Sequence, residues 1–394
     1  MKKLLMASAA AALMAGAASG EEIKVGVAAA FTGPLESLAP PIAAGSELAL
    51  KQASDSGLFL DGSTLTPVRA DTTCVDSAAA VAAVERIITS DRVAGVAGPM
   101  CSGATGAVVS NVAVPNGIVV ISPSATSPSL STIEDNGLFF RTAPSDARQG
   151  QVMSDLVMER GIEEVAITYT NNDYGKGLAS AFEEAYKAAG GTVTITAAHE
   201  DGKADYSAEV GALASAGGEV LVVVGYVDQG GSGVVQAALD TGAFDTFVFP
   251  DGMVGQALVD RFGTAIDGSF GQNPAAAGEG RELFTAMAEE AGFDGTSAFA
   301  GEAYDAAALL VLAMQAAGSA DPQVYKDKVM EVANAPGEEI LPGELDKALE
   351  ILAGGGDVDY VGAASVELIG PGESGGSYRE VVIEGGELKV IGYR

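Results

Sequence analysis

The strongest constraint on the fold is a regular alternation of short apolar runs with stretches of helical periodicity. Residues 23–30 (IKVGVAAA), 93–98 (VAGVAG) and 117–122 (GIVVIS) are apolar at nearly every position, and segments with helical spacing lie between them. Strands that are apolar on both faces and joined by helices are typical of parallel sheets covered by helices on both sides. This part of the chain is therefore predicted to form a doubly wound α/β unit.

The alternation starts again near residue 148 and continues to about residue 270. Its apolar runs include EVAITYT, EVLVVVGY and TFVFP, and the C-terminal runs VELIG, YREVVIEGG and ELKVIGY predict a β-ribbon. A chain of 394 residues is also too long for one hydrophobic core. The sequence therefore predicts two α/β lobes of similar size, with the chain passing between them more than once.

The N-terminal segment has the parts of a secretory signal. Lys2 and Lys3 precede an apolar run from Leu4 to Met14, and small residues follow up to Gly20. We predict a signal peptide over residues 1–20 that is cleaved near Gly20, and a buried N-terminal helix is the alternative. No later segment has the roughly 18 uninterrupted apolar residues of a transmembrane helix, so we expect no membrane insertion.

The formal net charge of −32 narrows the class of partner. Such a field repels the phosphates of nucleic acids and anionic lipid head groups, which argues against nucleic-acid or membrane binding. A salty habitat, in which counterions screen the self-repulsion of the chain, is one interpretation of this composition.

Few residues are available for catalysis or metal binding. Cys74 and Cys101 in an exported chain favour one disulfide, because a reactive thiol or a metal site would need partner residues that the sequence does not supply. His199 is the single histidine, and we expect it at the surface. The string GESGG at residues 372–376 matches GxSxG but lies in a C-terminal loop, and no GxGxxG follows the first strand. We predict no enzyme activity, cofactor or metal.

Polar residues follow several predicted strands in both halves. Ser102 begins a helix after one strand, and residues 123–127 (PSATS) follow the next, so that hydroxyls and free N–H groups suit a carboxylate. In the second half, three strands end near Tyr174, Tyr226 and Asp251. Helix capping and half-buried tyrosines are the alternative interpretation. Ligands of open α/β sheets bind at such strand ends, so a cleft between the lobes is the expected site.

Several motifs, in this order, resemble those of the leucine/isoleucine/valine-type periplasmic binding proteins, the type I solute receptors of branched-chain amino acid ABC importers. They are TGPL, DTTC with GPMCSGAT, VVISPSATSPSL, FRTAPSD, NNDYGKGLA and FPDG, and they span nearly the whole exported chain. The resemblance implies two lobes joined by three hinge crossings. Lobe 1 is expected over residues 21–145 plus 272–372, and lobe 2 over residues 146–271 plus 373–394.

The resemblance also implies roles for individual residues. The residues expected to bind the α-carboxylate of a ligand are Ser102, Ser124, Ala125 and Thr126. The residues expected to contact the ligand from the opposite lobe are Tyr174, Tyr226 and Asp251. Asp251 is expected to pair with the ammonium, although relatives commonly have Glu there. The family also carries a disulfide at the positions of Cys74 and Cys101.

The motifs indicate less clearly which ligand side chain the expected site would accept. Leu38, Met100 and Phe299 are candidates for an apolar pocket, and Leu38 stands where relatives often place an aromatic residue. Glu302 lies in the same region and would favour a polar or cationic ligand if it faced the pocket. We expect Glu302 to be a solvated helix residue instead.

These features predict a monomeric periplasmic receptor that captures a small amino acid, branched-chain or otherwise apolar, and delivers it to a membrane permease. Two alternatives remain at this point. A receptor of the same fold could bind an amide, urea or an aromatic carboxylate, and the chain could also be the ligand-sensing component of a signalling system.

Overall fold

The computed structural model describes residues 20–394, so the predicted signal peptide lies outside the described residues except for Gly20. Within them the strands are β1 (Glu22–Ala29), β2 (Thr64–Asp71), β3 (Val96–Ala97), β4 (Val120–Ser122), β5 (Phe139–Pro144), β6 (Glu164–Thr170), β7 (Thr192–His199), β8 (Val220–Val224), β9 (Phe247–Phe249), β10 (Phe270–Pro274), β11 (Glu338–Ile340), β12 (Val358–Tyr360), β13 (Leu368–Ile369), β14 (Glu373–Ser374), β15 (Tyr378–Glu384) and β16 (Glu387–Tyr393).

The α-helices of the same residues are α1 (Ala39–Asp55), α2 (Ser77–Arg86), α3 (Ser102–Val108), α4 (Val114–Asn116), α5 (Asp146–Glu159), α6 (Asp173–Ala188), α7 (Ser207–Ala216), α8 (Gly230–Thr241), α9 (Gln256–Phe262), α10 (Glu279–Ala291), α11 (Ala300–Ala317), α12 (Pro322–Tyr325), α13 (Val329–Val332) and α14 (Leu345–Ala353). Most of them connect consecutive strands of a sheet, as the alternation in the sequence predicts.

Two seven-stranded sheets form the two lobes. The strand order is β13-β14-β5-β4-β3-β1-β2 in lobe 1 and β16-β15-β10-β9-β8-β6-β7 in lobe 2. Five consecutive strands of each sheet are parallel to one another, from β5 to the edge strand β2 in lobe 1 and from β10 to the edge strand β7 in lobe 2, and β14 also pairs in parallel with β5. Among the described residues the antiparallel pairs are β13 with β14 in lobe 1, and β10 with β15 and β15 with β16 in lobe 2. The predicted α/β fold with two doubly wound lobes is confirmed. The predicted C-terminal β-ribbon forms between β15 and β16, whereas the run VELIG forms β13 in the sheet of lobe 1.

Burial explains why these strands are apolar on both faces. All five residues of β8 (VLVVV) are buried, because helices cover both sides of the sheet. In lobe 1 the long helix α11 is buried over its entire run from Ala300 to Gln315 and packs along α1. Its apolar circumference is that of a helix enclosed by protein on all sides.

No single helix of residues 20–394 is both long and apolar enough to cross a membrane. The segments Ala300–Ala317 and Pro322–Val332 pass that test only as a pair, bent by 88°.

The chain crosses between the lobes three times, and the sheet pairing moves two of the predicted boundaries. The first crossing lies between β5 and α5, as expected. The predicted boundary at residues 271/272 falls inside β10, which pairs with β9 and β15 of lobe 2 up to Pro274. The boundary at residues 372/373 separates β14 from lobe 1, although β14 pairs with β5 and β13 there. The crossings therefore follow Pro274 and Ser374.

The predicted disulfide is confirmed. Cys74, in the loop after β2, is bonded to Cys101, the residue that precedes α3, with 5.4 Å between their Cα atoms. The bond joins two neighbouring loops of lobe 1 at the edge of the interlobe cleft, because Cys101 itself lines that cleft.

Candidate functional site

Loops at the carboxyl ends of parallel strands of both lobes enclose a narrow cavity of about 20 Å³. This volume has room for about one water molecule and is far below the roughly 300–1,000 Å³ of sites that enclose a small ligand, so the two walls lie nearly in contact in this conformation. The cavity is lined by Leu35, Leu38, Met100, Cys101, Ser102, Ser124 and Phe299 from lobe 1 and by Tyr174, Tyr226, Asp251 and Gly252 from lobe 2. Most of the predicted site residues thus come together, whereas Ala125, Thr126 and Glu302 are not among the lining residues.

Lobe 1 contributes hydroxyl groups that are held by its own loops. The Ser102 side chain, at the first turn of α3, accepts a hydrogen bond from the Ser127 N–H (3.1 Å). The Ser124 hydroxyl donates to the Met100 carbonyl (3.0 Å). Both hydroxyls are therefore positioned before any ligand arrives, and each has remaining hydrogen-bonding capacity.

A buried arginine that the sequence interpretation missed supports this wall. Arg141 on β5 donates to the carbonyls of Ala125 and Ser127 (both 2.9 Å) and forms an ion pair with Glu373 (2.5 Å). The guanidinium thus fixes the backbone of the loop of residues 123–127 from behind. The FRTAPSD motif contains Arg141, but nothing in the linear sequence shows that its side chain turns inward.

Ala125 and Thr126 lie behind the cavity wall, and both are fully buried. The Ala125 N–H donates to the Ser122 hydroxyl (3.0 Å), so it is already satisfied within the loop. The Thr126 hydroxyl has no hydrogen-bond partner among the described residues, and it is the part of this pair that could still bind a polar group.

In lobe 2 the NNDYG motif starts helix α6 and places a tyrosine in the cavity. The Asn172 side chain accepts from the Gly175 N–H (2.9 Å) and caps the helix. Residue 175 must be glycine, because a Cβ there would lie 2.0 Å from the Thr170 carbonyl oxygen. Tyr174 is then stacked on Tyr226, with 5.3 Å between the ring centroids.

Asp251 is the acidic group of the cavity. One of its oxygens, Oδ1, accepts hydrogen bonds from the Tyr174 hydroxyl and from the Gln149 side-chain amide (both 2.8 Å). Burial raises the pKa of Asp251 above its ordinary value, while these two hydrogen bonds oppose the rise. A cation that reaches the carboxylate would favour its charged form and lower this pKa.

A second buried acid lies next to this site and was not predicted. Asp146, the first residue of α5, is fully buried, and within residues 20–394 its carboxylate oxygens accept no hydrogen bond of good geometry, although the Thr126 hydroxyl is close enough to lower its pKa. Burial and then the negative charge of Asp251 raise the pKa of Asp146 well above its ordinary value. In the sequence it resembles an ordinary acid in a first helical turn, which is why it was missed.

The remaining wall is apolar. Leu35, Leu38, Met100 and Phe299 are all at most 7% exposed. Phe299 has a left-handed backbone conformation (φ 64°) at the start of α11, which is uncommon for a bulky residue and costs free energy. The neighbouring helix and cavity therefore hold the phenyl ring in place against this cost.

Two expectations about polar residues are wrong. Glu302 is 1% exposed in the first turn of α11 and is not a solvated residue; burial raises its pKa, opposed by the charges of Arg281 and Arg379. His199 is 1% exposed at the end of β7 and not at the surface, with its Nδ1 within 2.8 Å of the Thr168 hydroxyl. In both cases packing from distant segments covers a side chain that would be exposed on its own element.

The lobes touch across the cleft, so the conformation is closed. The Ser127 hydroxyl of lobe 1 donates to the Asp173 carbonyl of lobe 2 (3.2 Å). On the other side, the Asp228 N–H donates to the Pro34 carbonyl (3.2 Å). The cavity is thereby shut between the two lobes.

Proteins of similar sequence identify the family of this chain. A family model described as "Periplasmic binding protein" matches residues 22–337. The chain is 27% identical to the leucine-, isoleucine-, valine-, threonine-, and alanine-binding protein of Pseudomonas aeruginosa over 88% of this chain and 91% of that protein. It is 30% identical to Leu/Ile/Val-binding protein homolog 1 of Brucella melitensis over 82% of this chain and 86% of that protein.

Solved structures show the same fold. The branched-chain amino acid transporter substrate-binding protein of Streptococcus pneumoniae, in complex with isoleucine, has a TM-score of 0.76 at 22% identity and covers 94% of this chain and 99% of its own. A solute-binding protein of R. palustris, in complex with benzoate, has a TM-score of 0.73 at 18% identity over 94% and 96% of the two chains. With its two lobes, its three crossings and a family match over most of its length, this chain belongs to the periplasmic binding protein family.

Proposed function

We propose that the protein is the periplasmic receptor of an ABC importer and that it binds a small amino acid with an apolar side chain. In this function the ligand is held between the lobes without chemical change, and the closed receptor is recognised by a membrane permease. Closure is favoured by any ligand that contacts both lobes at once.

The observation that carries this proposal is the opposite polarity of the two walls. Lobe 1 presents the Ser102 hydroxyl at the start of α3 and the Ser124 hydroxyl in the loop after β4, which suits a carboxylate. Lobe 2 presents Asp251 in the cavity, with the buried carboxyl of Asp146 close enough to feel its charge, which suits an ammonium. An α-amino acid carries both charges on one carbon atom and would join the two lobes through them.

The apolar wall sets the expected side chain. Leu35, Leu38, Met100 and Phe299 offer no hydrogen-bonding side chain other than the Met100 thioether, whose sulfur lies 3.3 Å from the Ala30 nitrogen. Since none of the described lining residues is basic, a second carboxylate on the ligand would find no counter-charge. A branched aliphatic side chain fits this wall, and each buried methylene contributes about 0.8 kcal/mol.

An aromatic carboxylate without an ammonium fits less well. It would bring a negative charge into a closed cavity that already contains Asp251 and lies beside Asp146. Because such a ligand brings no positive charge, the buried carboxyl groups of Asp251 and Asp146 would remain uncompensated, and the ligand would bind more weakly.

The test is a thermal-shift screen of purified protein that has been freed of carried-over ligand by partial unfolding and dialysis. The ligands are the twenty amino acids, urea, simple amides and benzoates. A ligand at a hundred times its Kd adds about 2.7 kcal/mol to the free energy of unfolding, which raises the melting midpoint measurably. We expect the shift to be largest with leucine, isoleucine, valine or alanine.

Matched analogues separate the two charges. 4-Methylpentanoate is leucine without its ammonium, and 3-methylbutylamine is leucine without its carboxylate. We expect neither to shift the midpoint at concentrations where leucine does. A shift with 4-methylpentanoate or benzoate and none with any amino acid would overturn the zwitterion assignment and favour a carboxylate receptor.

A further inference from the structure

One hydrogen bond between the lobes involves a charged side chain that does not line the ligand cavity. Asp228, in the loop between β8 and α8 of lobe 2, accepts a hydrogen bond through Oδ2 from the Ser37 N–H of lobe 1 (2.8 Å). The Asp228 backbone N–H also donates to the Pro34 carbonyl (3.2 Å). The same residue thus bonds twice to the loop of lobe 1 that precedes α1.

That loop ends at a helix that has no cap of its own. Leu38 is the N-cap residue of α1 and makes no side-chain hydrogen bond, and the first turn of α1 contains no acidic residue. Pro40 and Pro41 have no N–H group and the Ala39 N–H donates to the Leu35 carbonyl, so Asp228 bonds to the loop before the helix, where the helix dipole favours a negative charge. The carboxylate of Asp228 supplies this charge from the opposite lobe.

The loop on each side of this contact also reaches the ligand cavity. Asp228 follows Tyr226 by two residues, and Ser37 directly precedes Leu38, and both of these neighbours line the cavity. Separation of the lobes would break the contact and leave the start of α1 without its acidic partner.

We propose that Asp228 is a positioning residue that latches the closed conformation by its two hydrogen bonds across the cleft to the loop that precedes α1. It acts on ligand affinity through the balance between open and closed forms and not by touching the ligand. This inference rests on the proposed function in one respect only, namely that the ligand is enclosed between the lobes.

The test compares two variants at this position with a control. Asp228→Asn keeps an oxygen acceptor for the Ser37 N–H but loses the charge, and Asp228→Ala loses both. Asp240→Asn removes the same charge from an exposed position on α8 of the same lobe, where the carboxylate bonds only to Gln236 among the described residues. The backbone bond to Pro34 is available in all of them.

The measurements are small-angle scattering of the purified proteins with and without leucine, and leucine dissociation rates by stopped flow. We expect affinity to fall about threefold in Asp228→Asn and about tenfold in Asp228→Ala through faster dissociation, in line with a charge-assisted bond at a partly exposed site. Without leucine, the radius of gyration of both Asp228 variants should be larger than that of the unchanged protein. At saturating leucine, the radii should be equal. Asp240→Asn should behave like the unchanged protein.

The outcomes separate the latch from the proposed function. Equal dissociation rates and equal radii in all four proteins would overturn the latch while leaving leucine binding intact. If no protein responds to leucine but the Asp228 variants still have larger radii, the ligand assignment fails and the latch stands. A loss of affinity with unchanged dissociation rate and radius would also overturn it, because a latch acts through the closed form.

Discussion

At the scale of single residues, Asp251 is placed between two demands. Its carboxylate must be buried to meet a ligand in a closed cavity, and it is 3% exposed. It must also stay charged, which burial opposes, and the donors Tyr174 and Gln149 offset part of that cost. The arrangement keeps an acid available in the cavity at some expense in stability.

Replacing this acid should therefore separate binding from stability. In Asp251→Asn we expect amino acid affinity to fall at least about tenfold, since a charge-assisted bond is worth about 1.5–3 kcal/mol. The free energy of unfolding without ligand should stay the same or rise, because a buried charge is removed. Calorimetric titration with leucine and chemical denaturation measure the two quantities, and Asp260→Asn on the exposed face of α9 is the matched control. Unchanged affinity in Asp251→Asn would contradict the assignment.

His199 should make stability depend on pH in a known direction. Burial lowers its pKa from the ordinary 6.5 to about 4, so the folded protein holds it neutral where the unfolded chain binds a proton. Its contribution is complete above pH 6.5 and is lost as pH falls towards 4, by about 3 kcal/mol in total. Because the chain has a single histidine, one imidazole resonance in an NMR titration reports it. A midpoint at pH 6 or above would contradict this prediction.

The sequence predicted the polar groups at strand ends better than those on the elements themselves. Ser102, Ser124, Tyr174, Tyr226 and Asp251 meet in one cavity because the carboxyl ends of parallel strands converge. Asp146 and Arg141 were missed and His199 was misplaced, since the burial of a polar side chain within a helix or strand depends on segments far away in the sequence.

At the scale of elements, helix α6 closes against the loop of residues 123–127 and the proline that follows it. A Cβ added at Gly177 on α6 would lie 2.8 Å from Pro128 Cδ and 3.1 Å from the Ser127 hydroxyl. Both neighbours belong to lobe 1, so this glycine permits a close approach that exists only when the lobes are together.

Gly177→Ala should therefore weaken binding while strengthening the helix. Alanine in a helix interior is favoured over glycine by about 0.5–1 kcal/mol, which should raise the ligand-free melting midpoint. Leucine affinity should fall several-fold, because the added methyl group opposes closure. Gly211→Ala on α7, where a Cβ meets no atom within 4 Å, should raise the midpoint without changing affinity. Equal leucine affinity in the two variants would show that α6 does not limit closure.

Element types were more predictable than element limits. Periodicity identified the central strands and helices of both lobes, because each must pack in a sandwich of layers. The ends of β10 and the lobe to which β14 belongs depend on hydrogen bonds to strands that are distant in the sequence, so the crossings after Pro274 and Ser374 could not be located from local pattern.

At the scale of the whole molecule, the formal net charge of −32 is the dominant electrostatic feature. Most ion pairs of the described residues are at the surface, where each contributes little. Repulsion among the excess carboxylates therefore opposes the compact, closed form.

Salt should stabilise this protein by screening that repulsion. The screening length falls from about 10 Å at 0.1 M to about 3 Å at 1 M ionic strength. We expect the melting midpoint to rise steadily with NaCl over this range and to rise equally with KCl, because screening does not depend on the cation. A midpoint that falls, or that responds to one cation alone, would contradict this origin.

The packing of α11 along α1 also determines when the chain can fold. The helix that fills the interior of lobe 1 is encoded after the five parallel strands β6 to β10 of lobe 2, and β14 of the first sheet later still. When the ribosome has synthesised the first strands and α1, the apolar surface that α11 covers in the folded lobe is therefore still exposed. Lobe 1 therefore cannot complete its fold until the last quarter of the chain has been synthesised. A chain that folds this late remains a substrate for export machinery that accepts only unfolded polypeptides.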